Sequence, residues 1–584
     1  MSRITAKRSL VAVAAGVVAL TSSLLVGTSA DAATPKTGGK LYFLTHAEQL
    51  DYLDPSRIYT GRDLAFMNSF VTRTLVAYNP VPGKAGANLV PDLATNTGIP
   101  SNAAKTWTFT LRPGSTFEDG TAITCQHVKY GVSRVFATTV ITNGPAYLQQ
   151  WLAIPKDGDG DSVYKGPYVV DAVGQAAFDK AVLCSNNNRT ITFKLNKSIA
   201  DFNYLATYGV ISPVQKTKDT GDKYDLKPQA TGPYRIAENS KNQLRLVRNT
   251  KWKKSSDPVR TPYPAEVIIK FGLAEEVIDQ YILNDTFPNA VNFDGPLPTN
   301  KDLFFNSVKF KTQRINTNDP YTRFWFFNVK KLTCKEVRAA IYHAYNSKAL
   351  IDYAGGTEFA GSYATGIISP LLATDYAPTK VVGPGSTDFR TTGNITKSKA
   401  YLAAARAKGG ACLAEANRIT SSGFTVDVAK SATLADTIPI NTEAFGRAGI
   451  VINFNQIEPG SYYSTVFDPA QQSDMSSGGW AADWANASTV IPELFTSAGG
   501  FNLTQNDADP AYTAFENKVK TAMLTTNRAK QAALWKELDK AAMANFWVMP
   551  TRFGKSQIVW GSKVGNAFFW VPQGCLAFGK LYVK

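Results

Sequence analysis

Segments in which apolar and polar residues alternate recur along the chain and predict β-strands separated by helices. Residues 107–111 and 191–195 alternate strictly, as half-buried strands do. Residues 324–327 are apolar at every position, which is typical of a central strand covered on both faces. The predicted strands are 41–44, 107–111, 191–195, 244–247, 267–271 and 324–327.

Apolar residues at helical spacing predict helices between these strands. Val128, Val132 and Val135 lie on one face of a helix predicted over about 124–135. A second helix follows the apolar strand at 324–327, with the same spacing between residues 337 and 345. Residues 510–545 form a longer helical stretch. Because strands and helices are neither segregated nor strictly alternating, the pattern favours an α/β or α+β chain with two lobes.

The amino-terminal segment has the three-part layout of a secretory signal peptide. A basic start precedes the apolar run 10–20, and small residues lead to an A-x-A cleavage site at 30–32. Polar residues at 21–23 interrupt the apolar run, whereas a bilayer span needs ~20 apolar residues. We therefore expect residues 1–33 to be a cleaved signal rather than a membrane anchor. No twin arginine is present, which favours the ordinary secretion route.

Composition describes a well-filled globular protein with a basic surface. Hydrophobic residues make up 44% of the chain and aromatic residues 11%, which excludes a disordered chain. The formal net charge is +16, and residues 1–33 contribute a net charge of only +2 to it. A basic exported protein is attracted to an anionic cell wall or lipid surface. The longest basic run is 251–254, and no zinc or helix-turn-helix signature occurs, so we expect no nucleic-acid partner.

Five cysteines follow the predicted signal: Cys125, Cys184, Cys334, Cys412 and Cys575. None forms a CxxC pair, which disfavours a structural zinc site. In an oxidising compartment cysteines pair by default. The expected pairs are Cys125–Cys184 and Cys334–Cys412, with Cys575 free. Other connectivities remain open, because spacing alone does not determine them.

Four segments occur in a characteristic order. They are 107–120 with its continuation to Arg134, 230–252 beginning ATGPY, 324–356 beginning FWFFN, and 479–484, GWAADW. Their order and spacing resemble those of the bacterial extracellular solute-binding proteins, family 5, which serve ABC importers for oligopeptides, dipeptides and nickel. The resemblance extends from about residue 39 to the carboxyl terminus. The first segment carries the most specific signal.

The resemblance implies an α/β fold of the type II periplasmic-binding-protein kind, with a ligand cleft between two lobes. The implied divisions are lobe I at 34–320 and 551–584, its extra subdomain at about 81–215, and lobe II at 321–550. Residues 324–327 and the segment near 546–553 would cross between the lobes. The lobes would close about this hinge around a ligand.

The resemblance also implies a ligand site around the segment 479–484. Asp483 resembles the carboxylate that accepts a peptide's amino-terminal ammonium, and an arriving ammonium offsets the cost of a buried carboxylate. The preceding backbone would pair with an extended ligand as an added strand does. Trp480 and Trp484 would form apolar walls, and Asp54 would lie at the cleft mouth. The expected ligand contacts are Asp483, Trp480, Trp484, Gly478, Gly479, Ala481, Ala482 and Asp54.

Alternatives to this site remain open on the residues alone. Asp483 could be an exposed turn residue, with both tryptophans in the core. Two departures from the family pattern concern the ligand's length and the recognition of its carboxylate. No proline follows the aspartate within 485–488, and Ser477 stands where some oligopeptide binders have a basic residue.

Signals for catalysis and metal binding are weak. There is no G-x-S-x-G motif and no P-loop, so the commonest hydrolase and nucleotide signatures are missing. The acidic turn 157–161 begins like a calcium loop, but Ser162 and Tyr168 replace the glycine and glutamate that such a loop needs. The three histidines are widely separated, and His343 is expected to be packed within a helix. We therefore expect no catalytic residues, no metal and no cofactor.

The predicted function is the substrate-binding component of an ABC import system, most simply for peptides. Its expected partners are the solute and a membrane permease with its cytoplasmic ATPase, and the protein is expected to be a monomer. The alternatives are the same fold binding a nickel chelate, a sugar or another solute, a secreted hydrolase, and a sensor that hands a signal peptide to a membrane partner.

The export segment also bears on how the protein is retained. Relatives in organisms with one membrane use a lipidated cysteine in a Leu-x-Gly-Cys motif. Here Leu25-Val26-Gly27 is followed by Thr28, and no cysteine precedes Cys125. We therefore expect the protein to be free in a periplasm or envelope space, or secreted and held by charge alone.

Overall fold

The computed structural model describes residues 35–525 and 527–584. The predicted signal peptide, residues 1–33, lies outside the described residues. The strands are β1 (Lys40–Leu44), β2 (Val76–Tyr78), β3 (Leu89–Pro91), β4 (Ile99–Ser101), β5 (Thr106–Thr110), β6 (Val182–Ser185), β7 (Thr190–Lys194), β8 (Tyr234–Asn239), β9 (Gln243–Arg248), β10 (Glu266–Lys270), β11 (Ala290–Asn292), β12 (Arg314–Phe327), β13 (Gly361–Tyr363), β14 (Phe424–Ala429), β15 (Ile452–Ile457), β16 (Met475–Trp480), β17 (Val548–Val559), β18 (Val564–Gly565), β19 (Phe569–Trp570), β20 (Cys575–Leu576) and β21 (Tyr582–Val583).

Helices of 4 to 17 residues, together with short 3-10 turns, connect the strands. The α-helices are α1 (Gly61–Phe70), α2 (Cys125–Arg134), α3 (Tyr147–Trp151), α4 (Ala172–Ala181), α5 (Phe202–Leu205), α6 (Glu275–Leu283), α7 (Lys301–Phe305), α8 (Lys335–Ala344), α9 (Ser347–Tyr353), α10 (Gly356–Phe359), α11 (Ile395–Lys408), α12 (Gly410–Ser421), α13 (Leu434–Gly446), α14 (Tyr462–Val466), α15 (Ile491–Phe495), α16 (Tyr512–Leu524) and α17 (Arg528–Ala544). None of the described helices is long and apolar enough to span a membrane.

The first half of the chain forms two sheets over one apolar cluster. A five-stranded sheet has the order β11-β1-β10-β9-β8, with β1 parallel to both of its neighbours. A four-stranded antiparallel sheet has the order β4-β5-β7-β6 and contains the two strictly alternating segments. Apolar side chains from both sheets, such as Phe43 and Phe193, are fully buried in the same cluster. The segment expected as an extra subdomain therefore shares its core with the larger sheet.

A six-stranded mixed sheet organises most of the remaining chain. Its order is β13-β17-β12-β16-β14-β15, and helices cover it to form a second apolar cluster that includes Phe326, Val426 and Trp535. Two large sheets with separate clusters agree with the predicted two-lobed α/β fold. The apolar run 324–327 is the last part of β12, in the centre of this sheet, as its lack of polar residues indicates.

The long strands β12 and β17 run from one cluster to the other. They have 14 and 12 residues and pair antiparallel. Near one end, Ile315 and Ile558 pack against the first cluster. At the other end, Phe324 and Val548 belong to the second cluster. Between these ends the pairing is irregular near Pro320, which has no backbone N–H to donate.

One predicted element is divided in the structure. The helical stretch expected over 510–545 consists of α16 and α17. Asn527 begins the second helix, since its side chain accepts a hydrogen bond of 3.0 Å from the backbone N–H of Lys530. Both helices are amphipathic, so spacing alone did not reveal the boundary between them. Helix α2, in contrast, begins at the predicted position with a capping box between Thr124 and His127.

The structure contains two disulfides, Cys125–Cys184 and Cys334–Cys412, which are the two expected pairs. Cys575 is a buried free thiol. The first disulfide joins α2 to β6 within the four-stranded sheet region, and the second joins the start of α8 to α12.

Candidate functional site

A cavity of about 570 Å³ lies between the two lobes. Tyr59 and Tyr208 line it from the first lobe, and residues 479–483 line it from the second. The cavity wall also includes the side chains of Tyr463 and Phe501. A largely apolar wall with a few convergent polar groups is typical of a small-molecule or peptide site.

The segment 478–482 presents a free backbone edge to this region. On one side, Gly478, Gly479 and Trp480 pair with β12. On the other side, β14 pairs only with Met475 and Ser476, so no described strand continues along this edge. An extended chain could add here as a further strand, with its main chain bonded to the main chain of the protein.

Gly478 and Gly479 lie close to side chains of the neighbouring strand β12. A Cβ at Gly479 would lie 3.0 Å from Cδ of Arg323, and a Cβ at Gly478 would lie 3.3 Å from a ring carbon of Phe326. The two glycines therefore leave room for side chains of the neighbouring strand.

Asp483 lies at the end of this segment, in the cavity wall, and its carboxylate faces tyrosines of the first lobe. Its Oδ2 accepts hydrogen bonds from the hydroxyls of Tyr59 at 2.9 Å and Tyr147 at 2.5 Å. The nearby Tyr208 hydroxyl also lowers the pKa of this carboxylate. Within the described residues, no Lys, Arg or His lies within ion-pair distance of it.

The electrostatic consequence is a carboxylate that favours its neutral form more than usual. Burial raises the pKa of Asp483 to about 6, and the tyrosine hydroxyls oppose that rise. Burial also raises the pKa values of Tyr59 and Tyr147, so these hydroxyls remain protonated donors. A cation that enters the cavity beside Asp483 would stabilise the ionised carboxylate.

Glu493 is a second carboxyl group behind this wall. Its side chain is 1% exposed, and it accepts a hydrogen bond of 2.8 Å from the backbone N–H of Gly500. Burial and the nearby Asp483 raise the pKa of Glu493 to about 8. The Glu493 carboxyl is therefore neutral at pH 7. In this form it does not repel the Asp483 carboxylate, and it does not pair with an ammonium.

Thr489 fixes the orientation of the 480–483 segment. Its carbonyl accepts a hydrogen bond from Nε1 of Trp480 at 2.7 Å, and its hydroxyl accepts one from the backbone N–H of Asp483 at 3.0 Å. Trp480 is 8% exposed, and its ring packs against Tyr59 and Phe501. The side chain of Trp480 thus provides an apolar wall and also holds the loop that carries Asp483.

Four charged side chains elsewhere in the cavity wall are paired with one another. Arg62 lies 2.9 Å from Asp294 and 3.1 Å from Asp63, and the Nδ1 atom of His46 lies 2.9 Å from Asp294. These pairs contrast with Asp483, since the described side chains that bind its carboxylate are neutral tyrosines.

The structure brings most of the expected contacts to the cavity but separates three of them. The residues in the cavity wall are Gly479, Trp480, Ala481, Ala482 and Asp483. Gly478 instead lines a second cavity of about 570 Å³, which shares Gly479 and Arg323 with the first. Trp484 and Asp54 lie outside both walls.

Trp484 is a packing residue rather than a wall of the cavity. It is 5% exposed, its ring lies against Tyr147, Trp151 and Tyr204, and its Nε1 donates to Asp201. The backbone turns at Asp483, so the two tryptophans of the motif point to different surroundings. Of the two tryptophans expected as walls, Trp480 lines the cavity in this structure and Trp484 does not.

Asp54 also lies outside the walls of both cavities. It is fully buried and forms a two-pronged ion pair with Arg134, with both N–O distances at 2.7 Å. Its carboxylate also accepts from the backbone N–H of Ser56. All of this fixes the loop before Tyr59, so Asp54 supports the cavity wall without lining it.

The described residues contain one group of potential metal ligands, Cys334, Glu336 and Cys412. The two sulfurs are joined in a disulfide and are therefore unavailable to a metal. The acidic turn 157–161 is held by Lys165, whose Nζ lies 2.8 Å from Asp157.

The tyrosines around Asp483 were not anticipated. Tyr59 and Tyr147 lie 424 and 336 residues away from Asp483 along the chain, and neither belongs to a motif. Tyrosines occur both in cores and in interfaces, so their residue type alone did not indicate a contact with Asp483. Thr489 and Glu493 follow Asp483 closely, but their roles depend on a turn that periodicity does not reveal.

Comparison with known proteins identifies the family. The chain matches the family model described as bacterial extracellular solute-binding proteins, family 5 Middle, over residues 88–502. A comparison with curated protein sequences finds no match.

Three solved structures illustrate the likeness of the fold. Clavulanic acid biosynthesis oligopeptide binding protein 2 has 25% identity and a TM-score of 0.74, over 94% of this chain and 96% of that chain. The Escherichia coli murein tripeptide binding protein MppA has 16% identity and a TM-score of 0.75, over 94% and 99%. Haemophilus influenzae OppA, in complex with RPPGFSPFR, has 13% identity and a TM-score of 0.74, over 94% and 99%.

These comparisons confirm the expected type II periplasmic-binding-protein fold and the resemblance on which it was based. The family match includes the segment that carries Asp483. The chain belongs to the bacterial extracellular solute-binding proteins of family 5.

Proposed function

We propose that the protein is the substrate-binding component of an ABC import system and that it captures peptides in the cavity between its lobes. Asp483 receives the amino-terminal ammonium of the peptide, and the backbone of 479–482 pairs with the extended ligand. The observation that carries the proposal is a carboxylate in the cavity wall whose described partners are neutral hydroxyls. The names of similar structures, which include oligopeptide-binding and tripeptide-binding proteins, support this choice of ligand.

The chemistry of the wall fits an ammonium guest. An ionised carboxylate accepts about four hydrogen bonds, so the tyrosine hydroxyls leave capacity for an ammonium. The free-energy cost of removing the carboxylate and the ammonium from water is offset when the two groups pair in the cavity. The free edge of β16 supplies main-chain recognition that does not depend on the ligand's side chains.

The proposed lobes are 34–320 with 551–584, and 321–550, and the proposed subdomain is 81–215. Strands β12 and β17 form the connections about which the lobes would open and close. The closed form would dock, as a monomer, on a membrane permease whose cytoplasmic ATPase drives transport. Export without a lipid anchor, followed by residence in a periplasm or envelope space or by secretion, completes the proposal. The protein would release its ligand unchanged, as a receptor does.

Titration calorimetry with peptides tests this function. The purified protein is titrated with a library of tetrapeptides that have free amino ends, and with the same library after amino-terminal acetylation. We expect binding of the free library and at least about 100-fold weaker binding of the acetylated one, since burial of an uncompensated carboxylate costs about 3 kcal/mol.

The variant Asp483→Asn should bring the affinity for the two libraries together. Asp159→Asn, an exposed acidic residue outside both cavities, is the control for the loss of one negative charge and should behave as the native protein. Failure to bind any peptide, combined with tight binding of a sugar or a nickel chelate, would falsify the proposal.

A further inference from the structure

Asp51 is a second carboxylate in the wall of the interlobe cavity that has no paired cation. It lines the same cavity as Asp483, and its Oδ2 accepts a hydrogen bond of 2.9 Å from the hydroxyl of Thr60. Among residues 35–525 and 527–584, no Lys, Arg or His lies within ion-pair distance of the Asp51 carboxylate. The cavity therefore offers an anionic group besides the one that we assign to the amino-terminal ammonium.

Arg62 does not serve as the counterion of Asp51, because it already pairs with two other carboxylates. It lies 3.1 Å from Asp63 and 2.9 Å from Asp294. Asp63 also lies close to Asp51, since its Oδ2 accepts a hydrogen bond of 3.1 Å from the backbone N–H of Asp51. Burial and the nearby Asp63 raise the pKa of Asp51 to about 7, so a cation that arrived beside Asp51 would stabilise its ionised form.

A metal ion is a poor guest for this part of the wall. Calcium and magnesium need six or more oxygen ligands in a defined geometry. In the described part of the chain, the single group of three potential metal ligands contains neither Asp51 nor Asp63. An organic cation requires only one carboxylate for its charge and an apolar surface for its stem.

A run of aromatic rings provides such a surface and extends along the cavity wall to Asp51. It begins with Trp480, three residues before Asp483, which packs on Phe501 with ring centroids 4.8 Å apart. Phe501 packs in turn on Tyr463, at 5.5 Å, and all three rings lie in the cavity wall. Burial and the nearby Asp51 raise the pKa of Tyr463 to about 12, so the Tyr463 hydroxyl is a neutral neighbour of that carboxylate.

This combination matches the side chain of lysine or arginine. Both side chains have an apolar stem that packs along aromatic rings and a cationic head that favours the ring faces as well as a carboxylate. Asp51 belongs to the proposed first lobe, and the three rings belong to the proposed second lobe. A basic side chain bound here would therefore contact both lobes at once.

We infer that Asp51 binds a basic side chain of the peptide, so that the protein selects peptides that contain lysine or arginine. This inference rests on the proposed function, in which the main chain and the amino terminus of the peptide are already bound. It adds a selectivity that main-chain pairing does not supply, because strand addition accepts many sequences. A carboxylate in the cavity wall distinguishes a charged side chain from an apolar one.

The experiment uses two matched series of tetrapeptides with free ends. Four peptides contain alanine and a single lysine, at each position in turn, and four contain norleucine at the same positions. Norleucine keeps the four-carbon stem of lysine and lacks its ammonium. Titration calorimetry should show that the best lysine peptide binds the native protein at least about tenfold more tightly than its norleucine counterpart. Arginine and its uncharged analogue citrulline, placed at that position, should give the same preference.

Three variants test whether Asp51 is the cause. In Asp51→Asn the ratio of lysine to norleucine affinities should fall towards one, through weaker binding of the lysine peptide with little change for norleucine. Asp51→Glu keeps the charge and should retain part of the preference. Asp159→Asn removes an exposed negative charge outside both cavities and should leave the ratio unchanged. Thermal melting of each variant shows that it is folded before affinities are compared.

The outcomes separate this inference from the proposed function. If neither series binds, both are wrong. If both series bind with equal affinity, or if Asp51→Asn weakens the two alike, the side-chain subsite alone is wrong. A lysine preference that persists in Asp51→Asn would also overturn the inference, because the cation would then be bound by another group.

Discussion

Asp54 and Asp483 are two carboxylates in similar protein surroundings with opposite consequences. Both accept hydrogen bonds that hold them in place, and both lie near the boundary of the interlobe cavity. Asp54 is fully buried against Arg134, with two N–O distances of 2.7 Å. Asp483 is only partly buried, lines the cavity, and accepts hydrogen bonds from neutral tyrosine hydroxyls.

The difference identifies which carboxylate is available to a ligand. A carboxylate that already has a buried cation gains nothing from a second one, and removal of that pair would leave a charge in the core. A carboxylate with neutral donors alone retains its full attraction for an ammonium. The counterion that Asp54 has in Arg134, together with the position of Asp483 in the cavity wall, therefore separates the structural residue from the proposed binding residue.

The largest expected effect is on the free energy of unfolding. Asp54→Asn leaves the guanidinium of Arg134 buried without its two-pronged partner, and we expect it to lower the free energy of unfolding by about 3–5 kcal/mol. Asp483→Asn should leave the free energy of unfolding unchanged, or raise it at pH 8, because this substitution leaves no buried cation without its partner. Urea denaturation of both variants measures this contrast. Equal destabilisation by the two substitutions would break the comparison.

The next effect is a pH dependence of peptide affinity. The pKa of Asp483 is raised to about 6, so the carboxylate is ionised at pH 7.5 and mostly protonated at pH 5. Affinity for peptides with free amino ends should therefore fall about tenfold as the pH falls from 7.5 to 5. The direction follows from the charge, because only the ionised form pairs with an ammonium. Calorimetry at a series of pH values measures the midpoint, and a constant affinity over this range would contradict the assignment.

The smallest effect concerns a single hydroxyl. Tyr147→Phe removes a donor to the Asp483 carboxylate, which should weaken binding about fivefold and raise the pH midpoint of binding. Tyr78→Phe is the matched control, since the Tyr78 hydroxyl donates to the backbone carbonyl of Asp483 at 3.0 Å instead. A shift of the midpoint in the control as large as that in Tyr147→Phe would show that the carboxylate contact is not the cause.

Local pattern was sufficient for many elements of the fold. The alternating segments near Trp107 and Ile191 are β5 and β7, because one face of each strand is buried and the other is not. The uniformly apolar run in β12 lies in the centre of its sheet, where both faces of the strand are covered. The boundary between α16 and α17 was missed, because amphipathic spacing continues through it and the N-cap at Asn527 is a local signal of only one residue.

The sequence by itself determined one contiguous part of the cavity wall, residues 479–483, which resemble a family motif. Only the tertiary structure decided their chemistry. Tyr59 and Tyr147 lie far from that motif along the chain, and the fold alone places them beside Asp483. The residues of a contiguous motif can be identified from the sequence, because they are adjacent along the chain. Whether a carboxylate has a counterion depends instead on which distant segments pack together.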